Sequence, residues 1–252
     1  MTEQALAEIC SELAEMLIAG GAEIYRVEDT ARRICNAYGH TEAQLYATPA
    51  NFMITLRDKK GCPLTDTRTV SGRSDDLHRV GLINRLSRKI CTETPPASIV
   101  WAEIRKIRRS RTYSPPVIFF SYFIVGLAFT IYFDGGAAEA LVGGLLALMV
   151  CFLRGLLDRV KASAFLKAVA CSTALSFIAV ALFEIGVVPR FDRIIIGATM
   201  TMVPGIAMVN SMRDFISGDF ISGLYTLTEA LLIAAGLAVG VGSAVASAIH
   251  IG

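Results

Sequence analysis

RKIRRSRTYSPPVIFFSYFIVGLAFTIYF, Arg105 to Phe133, joins two different kinds of chain. Arg105, Lys106, Arg108, Arg109 and Arg111 crowd its start, and no charged residue follows from Pro116 to Phe133. An uncharged run of roughly 20 residues is long enough to cross a bilayer as a helix. A cationic cluster beside such a run acts as a topological anchor against anionic lipid headgroups. Nucleic-acid binding is the rival reading of the cluster. A net charge of only +2 and the adjoining apolar run speak against it.

The two sides of this junction differ throughout. The chain has 252 residues, 54% hydrophobic and 18% charged, where a soluble domain carries about 25% charged residues. Residues before Pro116 hold 17 of the 24 Lys+Arg and 14 of the 22 Asp+Glu. The first part therefore reads as a water-facing domain and the second as a bilayer domain. Glu3, Glu8, Glu12 and Glu15 stand where a secretory signal would carry cations, so no such signal is expected.

Before the junction, apolar spacing predicts helices over Gln4 to Ala19, Glu23 to Tyr38 and Asp75 to Cys91. Gly20-Gly21 ends the first and Gly39 the second, because glycine accepts the left-handed conformation at a helix C-terminus. Alternation predicts extended segments within Glu42 to Arg57, broken near Pro49, and a further strand over Leu64 to Val70. The turn between them is Asp58-Lys59-Lys60-Gly61. The expectation is an α+β domain over 1–96, a basic juxtamembrane linker helix over 97–115, and an all-α membrane domain over 116–252.

Five apolar segments are expected in that last domain: 116–133, 137–153, 165–188, 194–212 and 221–249. The second and third are short unless Glu139, Lys167 and Glu184 snorkel to the interface. Arg154, Arg159, Lys161 and Arg213 fall on the same side as the basic cluster. The excess of Lys and Arg places the N-terminal domain in the cytoplasm, and five spans place the C-terminus outside. Arg190 and Arg193, on the opposite side, run against this assignment.

Chemistry concentrates near the fourth segment. Pro204-Gly205 lies near its middle, and proline both lacks a donor and clashes with the carbonyl four residues back, at Met200. Thr199 and Thr201 bring hydroxyls beside the break. A broken helix at membrane depth either lines a substrate cavity or is a packing kink. Asn210 and Asp214, four apart, share a helix face. Ser217-Gly218-Asp219 and Ser222-Gly223 follow at a cytoplasmic mouth. Glu229 lies in the fifth segment, where a carboxylate either carries a proton or an ammonium group, or snorkels. Gly236, Gly240, Ala244 and Ala248 form a small-residue stripe that packs within the chain or against a partner. Cysteines at 10, 35, 62, 91, 151 and 171 read as buried small hydrophobes in a reducing compartment. The histidines at 40, 78 and 250 make no metal constellation, and neither metal nor cofactor is expected.

Met202-Val203-Pro204-Gly205, Asn210, Asp214, Gly218-Asp219 and Ser222-Gly223, in this order, resemble the Pro-Gly…Asn…Asp…Gly-(Asp/His)…Gly motif of the threonine/serine exporter family. Gly20-Gly21-Ala22-Glu23 with Arg26-Val27-Glu28 resembles that family's Gly-Ala-Glu…Val-Glu segment. The resemblance covers essentially the whole chain. It implies an exporter of threonine and serine, or of a dicarboxylate such as succinate, in a bacterial inner membrane and driven by protons or membrane potential. It implies a pathway through Thr199, Thr201, Pro204, Gly205, Asn210, Asp214, Gly218, Asp219, Ser222, Gly223 and Glu229. Gly21, Glu23, Arg26 and Glu28 form the matching N-terminal motif. Full-length members carry a second membrane domain, so the resemblance implies the larger subunit of a split system with a small multi-span partner. Homo-oligomers are compatible with it, and lipid is a further partner. Two other classes compete: a membrane-anchored hydrolase using Glu23 and Glu28, and a membrane-tethered scaffold. The first has no nucleophile paired with a base. The second leaves Pro204-Gly205, Asp214 and Glu229 without a role.

Overall fold

The computed structural model describes residues 1–58, 60–70, 72, 76–110 and 113–251, with only the backbone for 249–251. Lys59, Asp75, Arg111 and the His250 side chain, singled out above, lie outside the described residues. The chain divides into two compact units. One comprises Met1–Thr112 with Ile206–Leu227, the other Tyr113–Gly205 with Thr228–Gly252.

In the first unit, helices α1 (Glu3–Ala19) and α2 (Ile24–Ala37) precede three strands, β1 (Gln44–Ala47), β2 (Asn51–Arg57) and β3 (Pro63–Thr69). The strands form one antiparallel sheet in the order β1-β2-β3, with Leu45 opposite Ile54 and Ile54 opposite Asp66. Alternation along β2 buries Phe52, Ile54 and Leu56 and leaves Met53 outside. Helix α1 packs on β2 and β3, and also on α2, α3 (Leu77–Glu93) and α4 (Ala97–Arg109). Leu6, Ile9, Leu13 and Ile18 of α1 are fully buried. Each such side chain contributes about 1.5–3 kcal/mol through removal from water.

The basic segment is not a mere linker. Val100, Ile104 and Ile107 of α4 enter the same core as α1 and the sheet. Arg108 forms an ion pair with the buried Glu12 of α1, whose other oxygen lies 3.8 Å from Arg68 of β3. The spacing of Val100, Ile104 and Ile107, three and four apart, is what seats this helix. Cysteine burial is mixed: Cys10, Cys35 and Cys171 are buried, Cys91 and Cys151 are half-buried, and Cys62 is exposed. Cys10 and Cys35 place their sulfurs 3.8 Å apart between α1 and α2. The Cys10 thiol is pushed well up by its bond to Cys35 and by burial.

The second unit contains α5 (Pro115–Tyr132), α6 (Ala137–Arg159), α7 (Ala164–Glu184) and α8 (Phe191–Thr199), with α10 from Thr228 onward. Among the described residues, four helices are long and apolar enough to cross a membrane: α5, α6, α7 and Phe220–Ala248 of α10 (Phe220–Ile251). Phe120, Tyr132 and Phe152 lie on the outside of this unit, as befits helices whose solvent is hydrocarbon. The second expected segment runs two turns further than its apolar core, to Arg159, so its length does not depend on Glu139. Glu139 is buried and accepts the Gly136 amide at 2.6 Å, closing the N-terminus of α6. Lys167 pairs with Asp158 at the α6–α7 turn.

The fourth expected segment departs most from expectation. It is not one helix but two, α8 and α9 (Gly205–Ile216), parted by Met200–Pro204. At 9 and 12 residues neither half spans a bilayer alone. Pro204 cannot donate a helical bond, and its ring pushes Val203 out of helical geometry. The kink expected at this position is a full break.

Small residues set the packing of the second unit. A Cβ on Gly126 of α5 would lie 2.6 Å from both the Ala147 Cβ and the Gly143 carbonyl of α6. On α10, a Cβ at Gly236 would lie 3.1 Å from the Ala168 Cβ of α7, and one at Gly240 would sit 2.8 Å from the Val169 carbonyl. The stripe on α10 is therefore used within the chain, at least at these two positions. Gly126→Val is expected to lower thermal stability in detergent by about 1–3 kcal/mol, the cost of overpacking. An unchanged melting temperature would show that α5 and α6 do not meet there.

Candidate functional site

The site begins at the end of α1. Gly21 has φ of 84°, and the Ala22 and Gly21 amides bond the carbonyls of Leu17 and Ile18. This is a Schellman closure, and it requires a residue that tolerates the left-handed region. The closure turns the chain sharply into Glu23, the N-cap of α2. The carbonyl of Gly21 and the carboxylate of Glu23 are thereby presented together at one corner.

Helix α9 meets that corner. The Asn210 amide Nδ2 donates to the Gly21 carbonyl at 3.1 Å. One turn on, Arg213 pairs with Oε1 of Glu23, while Arg26 pairs with Oε2. The Glu23 side chain is only 7% exposed and the two guanidiniums are more than half exposed. A buried carboxylate is tolerated because cations occupy both its oxygens. Its position at the start of α2 adds the favourable field of the helix N-terminus. Arg26 also bonds the Tyr25 hydroxyl at 3.0 Å, which is the first cause holding its guanidinium above the ordinary value.

The face that α9 buries is polar. Asn210, Ser211 and Asp214 are buried, and Asp214 is 1% exposed. Ile206, Val209, Met212 and Ile216 on the same helix are exposed. The corner that follows explains several motif residues. Gly218 has φ of 85°, and the amides of Asp219 and Gly218 bond the carbonyls of Asp214 and Phe215, a second Schellman closure. Asp219 then accepts the Ser222 amide at 3.1 Å and caps α10. Gly223 lets α10 approach α9, since a Cβ there would lie 2.7 Å from the Phe215 ring. Ser222 and Thr226 of α10 are fully buried, while Phe220, Ile221, Leu224 and Tyr225 are outside. The hairpin keeps its polar groups within and its apolar groups without.

The remaining predicted residues fall elsewhere. Glu28 accepts the Ala47 amide at 2.8 Å and so ties α2 to β1. Thr199, Thr201, Pro204, Gly205 and Glu229 belong to the second unit. Thr199 and Thr201 donate their hydroxyl protons to the carbonyls of Ile195 and Ala198 in α8. Glu229 is half-buried on α10. Arg213 is the participant that motif reading left out of the site. Its spacing of three from Asn210, which puts both on one face of α9, was the available signal.

A family model described as "Putative threonine/serine exporter" matches residues 8–248. The chain belongs to the threonine/serine exporter family. A "Threonine/serine exporter" of Corynebacterium glutamicum is 20% identical over 241 residues, covering 93% of this chain and 49% of that protein. A "Probable threonine/serine exporter" of Mycobacterium tuberculosis is 22% identical over 237 residues, covering 93% and 44%. The chain thus spans about half the length of these relatives. No solved structure matches it. The family and both relatives are named as exporters, and the two glutamates invoked for hydrolysis are held by Arg26, Arg213 and the Ala47 amide.

The two motifs are expected to be energetically coupled. A double-mutant cycle of Glu23→Gln and Arg213→Gln, read by thermal unfolding in detergent, should give a coupling of about 1 kcal/mol. Strict additivity would mean that the pair contributes nothing.

Proposed function

We propose that this chain is the larger module of an exporter of threonine and serine, driven by protons or membrane potential. Residues 1–110 lie in the cytoplasm of a bacterial cell and, with α8 and α9 together making a fifth crossing beside the four long helices, the C-terminus lies outside the inner membrane. The observation that carries the reading is the inside-out hairpin of α9 and α10. Its apolar face is suited to lipid, and its buried Asn210, Asp214, Ser222 and Thr226 offer donors and acceptors to a zwitterion. A buried carboxylate can hold an ammonium group or exchange a proton. Family membership and the helix break at Met200–Pro204 give the reading further support, because transporters place substrates where helices are interrupted.

A second membrane module completes the transporter. The support is that the matched relatives are about twice as long as the region they share with this chain. A separate small multi-span subunit would supply that half.

Efflux of labelled threonine and serine, with succinate as the competing dicarboxylate, tests the whole reading. Vesicles holding the chain with a small companion membrane protein are expected to export the hydroxy amino acids. Asp214→Asn should lower that export by at least tenfold at equal membrane abundance, because an amide cannot exchange a proton or hold a cation. Glu93→Gln, on the exposed end of α3, should leave it unchanged. Wild-type efflux from Asp214→Asn would reduce this residue to an architectural part. Succinate as the sole exported compound would replace the substrate assignment.

A further inference from the structure

A groove of about 530 Å³ runs between α2 and α3 wholly inside the first unit, adjoining the Glu23 corner only through Arg26. Its size lies within the range of small-molecule pockets. Its lining is not that of an idle surface cleft. Arg26 and Arg33 come from α2 at a spacing of two turns, and Arg88 comes from α3. Thr30, Ser87 and Thr92 add hydroxyls. Asp29 is the single carboxylate in the lining.

The arrangement of the cations is specific. Asp29 holds Arg33 through its Nε at 2.8 Å. Arg26 is likewise held through Nε, by the Tyr25 hydroxyl and by Glu23. In both cases the bonds use Nε, and the paired terminal nitrogens remain for an oxyanion. That fork matches a phosphate or carboxylate in bidentate fashion. Arg88 has no ion-pair partner among the described residues. Asp29 and Glu23 offset two of the three guanidiniums, so the lining keeps one uncompensated cation, Arg88, beside two others whose terminal nitrogens face the groove.

We infer that the α2–α3 groove is a binding site for a small polyanion bearing phosphate or several carboxylates. The three guanidiniums neutralise its charge, and Thr30 donates to a remaining oxygen, while the Ser87 and Thr92 hydroxyls are committed to the α3 carbonyls. A zwitterion such as threonine carries no net charge and gains little from such a site. The groove is thus distinct in chemistry from the buried path on α9, and its test does not depend on export.

Isothermal titration of the full chain in detergent decides the matter, with inorganic pyrophosphate and citrate as probes at matched ionic strength. At least one probe is expected to bind, and the tighter of the two identifies the phosphate or the polycarboxylate class. Arg33→Gln combined with Arg88→Gln should weaken binding at least tenfold. Both side chains are exposed, so the fold should survive. Arg88→Lys keeps the charge but not the fork, and should fall between. Arg57→Gln, an exposed cation on β2, should bind as the wild type does. Absence of binding by both probes, or unchanged binding by the double variant, would overturn the assignment.

Discussion

A carboxylate taken out of water must meet cations, and Glu23 meets two. That requirement organises the first unit around one corner. The Schellman closure at Gly20-Gly21 aims the corner, and α2 gives Arg26 to one carboxylate oxygen. Arg213, 190 residues away in sequence, comes to the other. Without that second cation, α9 has little reason to lie where it does, since the side chains it turns inward are polar. The bond from Asn210 to the Gly21 carbonyl fixes its register by a second, uncharged contact. Two motifs that look independent along the chain are thus halves of one structure.

The same hairpin shows what solvent does to a helix. In water, α9 would turn Ile206, Val209 and Met212 inward. Here they are outside, and Asn210, Ser211 and Asp214 are buried. An outward apolar face of this kind is favoured where its surroundings are apolar rather than aqueous. The inversion also concentrates titratable and hydrogen-bonding groups in a place sheltered from lipid. A path for a polar metabolite needs that segregation. Helix-breaking at Pro204 separates this polar segment from the apolar packing of α8, where Gly197 and Thr130 bring helices close.

Much of the fold was legible because periodicity reports burial directly. The apolar spacing in α1, α2 and α3 and the alternation in β2 each placed an element within a residue or two. What failed had identifiable causes. The segment 97–109 carries so many cations that its Val100-Ile104-Ile107 stripe was outweighed, yet three residues at helical spacing suffice to join a core. The segment 194–212 carries no charge, so hydropathy alone joined what Pro204 divides. Motif order singled out Gly21, Glu23, Asn210 and Asp214 but not the contacts that join Asn210 to Gly21 and Arg213 to Glu23. Glu23 and Arg213 are too far apart in sequence for any local period to connect them. Gly218, Asp219 and Gly223, read as parts of a pathway, serve the turn and the close approach of α10 to α9. A single sequence marks such residues as special without revealing which physical demand they meet.

The central claim is that the Gly-Ala-Glu corner and α9 act as one device through the Glu23–Arg213 pair. Charge reversal tests it most directly. Efflux would be measured in an Arg26→Gln background, which removes the other cation facing residue 23, for Glu23→Lys, for Arg213→Glu and for the two together, at equal membrane abundance. Each single reversal sets like charges against one another and should abolish export. The double reversal restores an opposite-charge pair and should recover a substantial part of it. Singles that export normally, or a double variant as inactive as either single, would contradict the account.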